Sequence, residues 1–358
     1  MFVRVFQGSW VSEFSICILR LSAIGDVTHV VPVVHAIRRH LPRAEITWII
    51  GKLEARLLHG LPGVEFIVFD KKGGFDAIRQ LRQTLKGRKF DALLHMQVAA
   101  RANLLSKLVK SPVRIGWDKP RWRDRHQWFI NQSVDSVPEQ HQVDAFLEFA
   151  RVLEIPDGSP EWNIPVSVED TSWAEQILGT GPPILMISPC SSHVLRNWQA
   201  VRYATVADYA IAELNMRVVL TGGPSKLELQ TGQDIESAMT HSVQNLIGKD
   251  TIRQSVALLK QAAVVLSPDS GPAHLASAVG TPVIGLYAAT PKKRSGPYNS
   301  LDLCVDKYVD AAHKFRNRKP EELRWGQRIE YPGVMDLIET VEVIEKLKEF
   351  MRISQHSI

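Results

Sequence analysis

Cysteine is scarce: Cys17, Cys190 and Cys304 are the only three in 358 residues. They are far apart, odd in number and without metal-ligand spacing, which argues against a disulfide framework and a cysteine metal site. A reducing compartment is the default, and Cys17, inside an apolar run, reads as a small core residue. No apolar run approaches the roughly 20 residues that span a bilayer. Met1 to Glu13 carries no h-region of a signal peptide, so residues 1–14 read as an extension ahead of the first strand. Together these predict a cytoplasmic protein that meets a membrane only at its surface. There is no Asp-x-Asp and no His/Cys/Asp cluster with metal-ligand spacing, so neither a metal nor a cofactor is expected. Charge is also modest. A formal net charge of +5 and a pI near 9.0 are too diffuse for a dedicated nucleic-acid binder. They suit a protein that handles phosphorylated ligands or works beside an anionic membrane, although most proteins so charged do neither.

What is present is an ordinary folded composition, 45% hydrophobic and 23% charged, in a chain long enough for two domains. Short β-branched runs alternate with amphipathic stretches, the pattern of βαβ units and parallel sheets. The first half offers strands at Ile16-Leu21, Ile46-Ile50, Phe66-Phe69, Ala92-Met96 and Val113-Ile115. Val30, Val34, Ile37 and Leu41 share one helical face, and Ala145-Leu153 forms another helix. A Pro- and Gly-rich interval from Glu154 to Pro183 then interrupts the pattern. The theme restarts with strands at Ile184-Ser188, Arg217-Thr221, Asn245-Ile247, Val264-Ser267 and Val283-Tyr287. Helices lie near Ala200-Leu214, Ile252-Ala262 and Ala273-Val279, and Met335-Met351 makes an amphipathic tail. The reading is α/β: two Rossmann-like doubly wound domains, 15–165 and 184–334, joined by a linker over 166–183 and facing a central cleft. Residues 335–358 are expected to pack back on the N-terminal domain. Ligands of such folds sit at the carboxyl ends of strands, so the informative segments should follow strands.

Four segments do. Ser267-Pro268-Asp269-Ser270-Gly271-Pro272-Ala273-His274 runs from a buried strand straight into a helix. Asp269 or Ser270 can cap it, Gly271 admits a close ligand, and Pro272 suits the first helical position. The helix start would then aim N–H groups at a pyrophosphate, with His274 as a further donor. The same residues make a plain capped turn equally well. Leu19-Arg20-Leu21-Ser22-Ala23-Ile24-Gly25-Asp26 has one glycine, not the G-x-G-x-x-G of a dinucleotide site, which speaks against a nicotinamide dehydrogenase. Asp26 is either a general base at a strand end or a helix cap, the cap being the more frequent use. Ser188-Pro189-Cys190-Ser191-Ser192-His193-Val194-Leu195-Arg196 places hydroxyls and a guanidinium after a strand, as a phosphate site or a polar loop. Thr221-Gly222-Gly223-Pro224 lines a nucleotide or simply turns the chain.

In this order and spacing these segments resemble the heptosyltransferases of lipopolysaccharide core synthesis, glycosyltransferase family 9. The likeness runs from about Ile16 to the last helix, and the pairing of the Gly25-Asp26 and Asp269–His274 segments is its most specific part. The resemblance implies a GT-B fold, ADP-heptose (ADP-L-glycero-D-manno-heptose) as donor, and a Kdo-containing inner-core acceptor on lipid A. It implies Asp26 as the general base, with Ser191, Ser192, Arg196, Asp269, Ser270, Gly271 and His274 on the donor, joined by Gly222 and Gly223 on the strand-end reading above. The family often has Lys where Arg196 stands and Trp-Pro where this chain has Trp198-Gln199. Transfer would invert the anomeric centre, need no metal, and occur at the cytoplasmic face of the inner membrane without nucleic acid. Because the acceptor is anionic, Arg20, Arg121, Arg123 and Arg125, the last three interleaved with Trp122 and close to Trp128, are the expected acceptor contacts, although charge runs are usually solvated faces. Two alternatives stand beside this: transfer of another sugar, and a non-catalytic sugar-nucleotide binder of the same fold.

Overall fold

The computed structural model describes residues 14–355; the expected extension lies outside them except for its last residue. The five apolar runs of the first half become β1 (Ser15–Leu19), β2 (Glu45–Gly51), β3 (Val64–Phe69), β4 (Ala92–His95) and β5 (Val113–Gly116), and a short polar strand, β6 (Gln132–Ser133), joins them. The second half has β7 (Ile184–Ile187), β8 (Arg217–Leu220), β9 (Gln244–Asn245), β10 (Val264–Pro268), β11 (Val283–Tyr287) and β12 (Val305–Asp306). Helices cover both faces of a parallel sheet, so its central strands carry no polar alternation. Accordingly every residue of β4, β7, β10 and β11 is buried.

The first sheet is ordered β3-β2-β1-β4-β5-β6 and the second β12-β11-β10-β7-β8-β9, and every strand pair is parallel. Counted within each half, both have the doubly wound order 3-2-1-4-5-6. Chain direction across the sheet reverses between the first and fourth strands, at β1/β4 and at β7/β10. In open α/β sheets the loops leaving such a pair of strands diverge, and ligands bind in the crevice at their carboxyl ends.

The chain forms two compact units. The first takes in the residues up to Val137 and Val143–Glu161, the second Pro138–Gln142 and everything from Trp162. The helix Gln142–Val152 completes the first core, with Phe146 and Phe149 meeting Trp117 edge-on at 5.1 and 5.0 Å between ring centres. The interval 166–183, expected as a linker, instead holds the helix Val168–Leu178. Its Ser167 Oγ accepts from the Asp170 N–H, Asp170 pairs with Arg253 at 2.9 Å, and the helix packs on Ile252–Gln261 of the second unit. The Pro and Gly residues that suggested a linker are its flanks. The closing helix Thr340–Gln355 also differs from expectation: it lies on Ala200–Leu214 and β11 of the second unit, with Val343, Leu347 and Phe350 in that core. Among the described residues no helix is long and apolar enough to cross a membrane. All three cysteines are buried free thiols, and burial pushes Cys17 and Cys304 up to about 12, so they serve packing, not chemistry.

Candidate active site

In the second unit the loops after β7 and β10, the two sides of the switch point, bring Arg196, Asp269 and His274 together. The loop after β7 is shaped by its own side chains: Ser191 N–H donates to Asn197 Oδ1 at 2.7 Å and Ser191 Oγ to the His193 carbonyl at 3.0 Å. A single 3-10 turn, Val194–Arg196, then drives the Arg196 side chain inward, where it is only 8% exposed. One terminal nitrogen donates to Ser192 Oγ at 2.9 Å, the other lies 3.7 Å from Asp269 Oδ2, and Nε lies 3.3 Å from Glu330 Oε1. Burial pulls the guanidinium below its ordinary range, opposed by Asp269 and reinforced by the nearby Arg328 charge. A cation held this far from water is a strong anion ligand, because the field it exerts is poorly screened.

Asp269 faces this arginine on one side and His274 Nε2, 3.5 Å away, on the other. Burial alone would raise its carboxyl. A hydrogen bond from His274, the charges of His274 and Arg196, and a hydrogen bond from Thr290 outweigh that and hold it below the usual carboxylate range. Asp269 therefore stays ionised, and its first task is to aim Arg196 and His274.

The strand-to-helix turn is built as expected in outline and differs in detail. Ser270 is the cap of the helix Gly271–Ala278, accepting from Ala273 N–H at 3.3 Å, and its Oγ also meets Ser267 Oγ at 2.8 Å. Gly271 takes the first helical position and Pro272 the second. The row of open N–H groups is short: Pro272 has none, Ala273 uses its own on Ser270 Oγ, and His274 points its to the Ser270 carbonyl at 3.4 Å. Gly271 contributes the remaining donor, so side-chain charge does more here than helix-end amides.

Gly222 and Gly223 follow β8, but the Gly223 N–H is taken by Glu228 Oε1 at 2.7 Å and the Gly222 carbonyl by Gly248 N–H at 2.9 Å. A Cβ on either glycine would sit within 3.3 Å of the Glu228 carboxylate, so their smallness admits this side chain. Glu228, which sequence reading passed over, was signalled by the Ser225-x-x-Glu228 capping spacing. Glu330 had no such signal.

In the first unit the equivalent switch point carries Arg20 and Asp26. Arg20 leaves β1, donates to the Met96 carbonyl at 2.7 Å beyond β4, and forms an ion pair with Asp26. Its guanidinium lies 5.4 Å from the Phe146 ring centre. Asp26 sits in the first turn of the helix Ile24–His40, where the cap residue is Ala23 and makes no side-chain hydrogen bond; Asp26 Oδ2 accepts from the Ala23 N–H at 3.4 Å instead. Asp26 thus supports the helix start, as the cap reading expected, and remains 37% exposed.

The three loop arginines part company. Arg121 is bound to buried Asp118 and lies 4.5 Å over Trp117, which makes it a fixture of the loop. Arg125 is exposed and stacks on Trp128 at 4.8 Å. Arg123 is exposed, with no ion pair among the described residues.

Residues 78–324 match the model of glycosyltransferase family 9 (heptosyltransferase). The lipopolysaccharide core heptosyltransferase OpsX of Haemophilus influenzae is 38% identical over 335 residues, covering 94% of this chain and 96% of that protein. Lipopolysaccharide heptosyltransferase 3 of Escherichia coli is 26% identical over 74% of this chain and 81% of its own length. Among solved structures, a family 9 glycosyltransferase of Veillonella parvula superposes with a TM-score of 0.78 at 20% identity, covering 96% of this chain and 98% of that one. E. coli ADP-heptose heptosyltransferase II gives 0.72 at 19% identity, covering 96% and 100%. The two doubly wound units are therefore those of the GT-B fold. The family model spans well over half the chain and the first of these relatives is similar almost end to end: this chain is a glycosyltransferase and belongs to family 9, the heptosyltransferases.

Proposed function

We propose that the chain transfers L-glycero-D-manno-heptose from ADP-heptose to the Kdo-bearing inner core of lipopolysaccharide, with inversion and without a metal ion, at the cytoplasmic face of the inner membrane. The observation that carries this is the buried Arg196–Asp269–His274 cluster at the switch point of the second sheet. A cation there, held by a carboxylate that stays ionised, suits a diphosphate leaving group. The names of the relatives support it: OpsX and the E. coli enzyme act on lipopolysaccharide, and E. coli WaaC, a structure sharing 20% identity, was solved with ADP.

In this reading Asp26 takes the proton of the attacking acceptor hydroxyl. Arg20 aims the carboxylate through their ion pair. As the glycosidic bond to ADP breaks, charge grows on the β-phosphate. Arg196, Ser192, His274 and the Gly271 N–H meet it with donors already in place, so stabilisation costs little reorganisation. Arg123 and Arg125 hold the anionic acceptor. Inversion follows from a single displacement by that hydroxyl.

The test is transfer by the purified enzyme, followed by mass spectrometry of Kdo-bearing lipid A incubated with ADP-heptose, ADP-glucose, UDP-glucose or UDP-N-acetylglucosamine. A mass gain of one heptose from ADP-heptose alone is expected. Gain from a UDP-sugar instead would replace the donor assignment, and nucleotide-sugar binding with no transfer would favour a non-catalytic binder.

A further inference from the structure

Beneath the basic loop after β5 lies a buried polar cluster that the transfer chemistry does not use. His95 ends β4, Asn103 lies on the helix Ala100–Ser106, and His126 follows Arg125; all three are at most 1% exposed. His95 Nε2 and His126 Nδ1 each lie 2.9 Å from Asn103 Oδ1, with the two rings 4.6 Å apart. Asn103 Nδ2 donates to the Asp124 carbonyl at 2.9 Å, which settles which end of the amide is oxygen. An amide oxygen only accepts, so both imidazoles must donate to it. His126 Nε2 in turn accepts the Trp117 N–H at 3.1 Å. His126 is therefore neutral with its proton on Nδ1; His95 carries a proton on Nε2, and burial disfavours a second one on its Nδ1. Gly116 leaves room for this packing: a Cβ there would clash with Ile130 Cγ2 and stand 2.5 Å from His126 Nε2.

The cluster pins a strained segment. Asp124 and Arg125 have φ of 51° and 60°, a region that a long side chain such as arginine rarely occupies without compensation. The compensation is visible: Asn103 holds the Asp124 carbonyl, the Ala100 N–H holds Asp124 Oδ2 at 2.9 Å, and the Arg123 carbonyl accepts from His126 N–H at 3.0 Å. Arg123 and Arg125 project from this pinned turn into solvent.

We propose that His95, Asn103 and His126 are positioning residues for the acceptor: a neutral histidine–asparagine–histidine clasp that holds the Arg123–Arg125 turn in its acceptor-binding shape. This rests on the reading of Arg123 and Arg125 as acceptor contacts. The loop arginines are exposed and would otherwise sample many conformations; the clasp removes that entropy before the acceptor arrives.

The test is steady-state kinetics of full-length Asn103→Ala, Arg123→Ala and the double variant with Kdo-bearing lipid A and ADP-heptose. Asn103→Ala should raise the acceptor KM about tenfold while kcat and donor KM stay within about twofold, a split that a general loss of fold would not produce. The double variant should be no worse than the weaker single one, because Arg123 is useful only where the clasp places it. Trypsin should also cut after Arg123 or Arg125 faster in native Asn103→Ala than in wild type. If Asn103→Ala melts below assay temperature, Asn103→Asp carries the same expectation, since it keeps size and Oδ1 but loses the donation to Asp124. An unchanged acceptor KM in Arg123→Ala and Arg125→Ala would overturn the acceptor reading and the clasp's role with it. A raised KM in those variants with an unchanged one in Asn103→Ala, or effects that multiply in the double variant, would overturn the clasp alone.

Discussion

At the scale of single residues the two charged centres answer to different experiments. Asp26 pairs with Arg20 yet stays partly open, as the proposed base must. Asp26→Asn keeps the shape and the contact to the helix start but removes the proton acceptor. It should lower turnover by 100-fold or more, the usual worth of a general base, with ADP-heptose affinity unchanged by titration calorimetry. Arg196 is a structural cation as well as the proposed phosphate ligand. Arg196→Ala leaves Asp269 and Glu330 without their cation and should cost about 3 kcal/mol in a denaturant melt. Arg196→Lys should retain most of that stability yet weaken ADP binding roughly tenfold, because an ammonium cannot keep Ser192, Asp269 and a phosphate in one planar fork. Asp26, Arg196, Asp269 and His274 were legible because each stands within a few residues of a strand end. Glu330 was not, since it reaches Arg196 from 134 positions downstream and no local spacing marks it. Arg121 looked like its neighbours, and only the fold shows it committed to Asp118.

At the scale of elements, the long apolar strands and periodic helices could be read directly, because burial on both faces leaves an unmistakable pattern. The two-residue strands β6 and β12 went unseen, as two residues have no period. The helix Val168–Leu178 was hidden by its own punctuation: Pro165 before it and Gly179 after it, at φ 62°, are the residues that start and stop a helix and also those that make a linker. The helix Gly271–Ala278 shows what an element terminus contributes. Ser270 both caps it and ties its start to Ser267 at the end of β10. Ser270→Ala removes both bonds and should destabilise the fold by about 1 kcal/mol, the usual worth of a cap. It should also loosen the Gly271 N–H from the donor phosphate. ADP affinity measured beside the melting temperature checks the pair; a loss of stability with full ADP affinity would mean the cap serves the fold only.

For the whole molecule, the two units carry buried titratable groups of opposite response to acid. In the first unit burial holds His95 well below its usual range, with His126, Arg114 and Arg20 adding repulsion, and lowers His126 to about 4. Between about pH 4 and the ordinary histidine value near 6.5 the unfolded chain binds more protons than the folded one. Stability of this unit is then complete above about pH 6.5 and drains as pH falls toward 4, by up to about 3 kcal/mol from His126 alone. In the second unit burial raises Asp250 to about 6, helped by the Glu228 charge and opposed by its bond from Ser255. There the folded state binds the extra proton, so its contribution is present below pH 4 and lost as pH rises through about 6. Lowering the pH from 7 to 4.5 should therefore weaken the first unit while the second gains. Calorimetric melts should show the first unit's transition moving down on acidification relative to the second's. His126→Gln, which keeps an acceptor for the Trp117 N–H without a titrating ring, should flatten that dependence; an unchanged slope would place the acid sensitivity elsewhere than in the clasp.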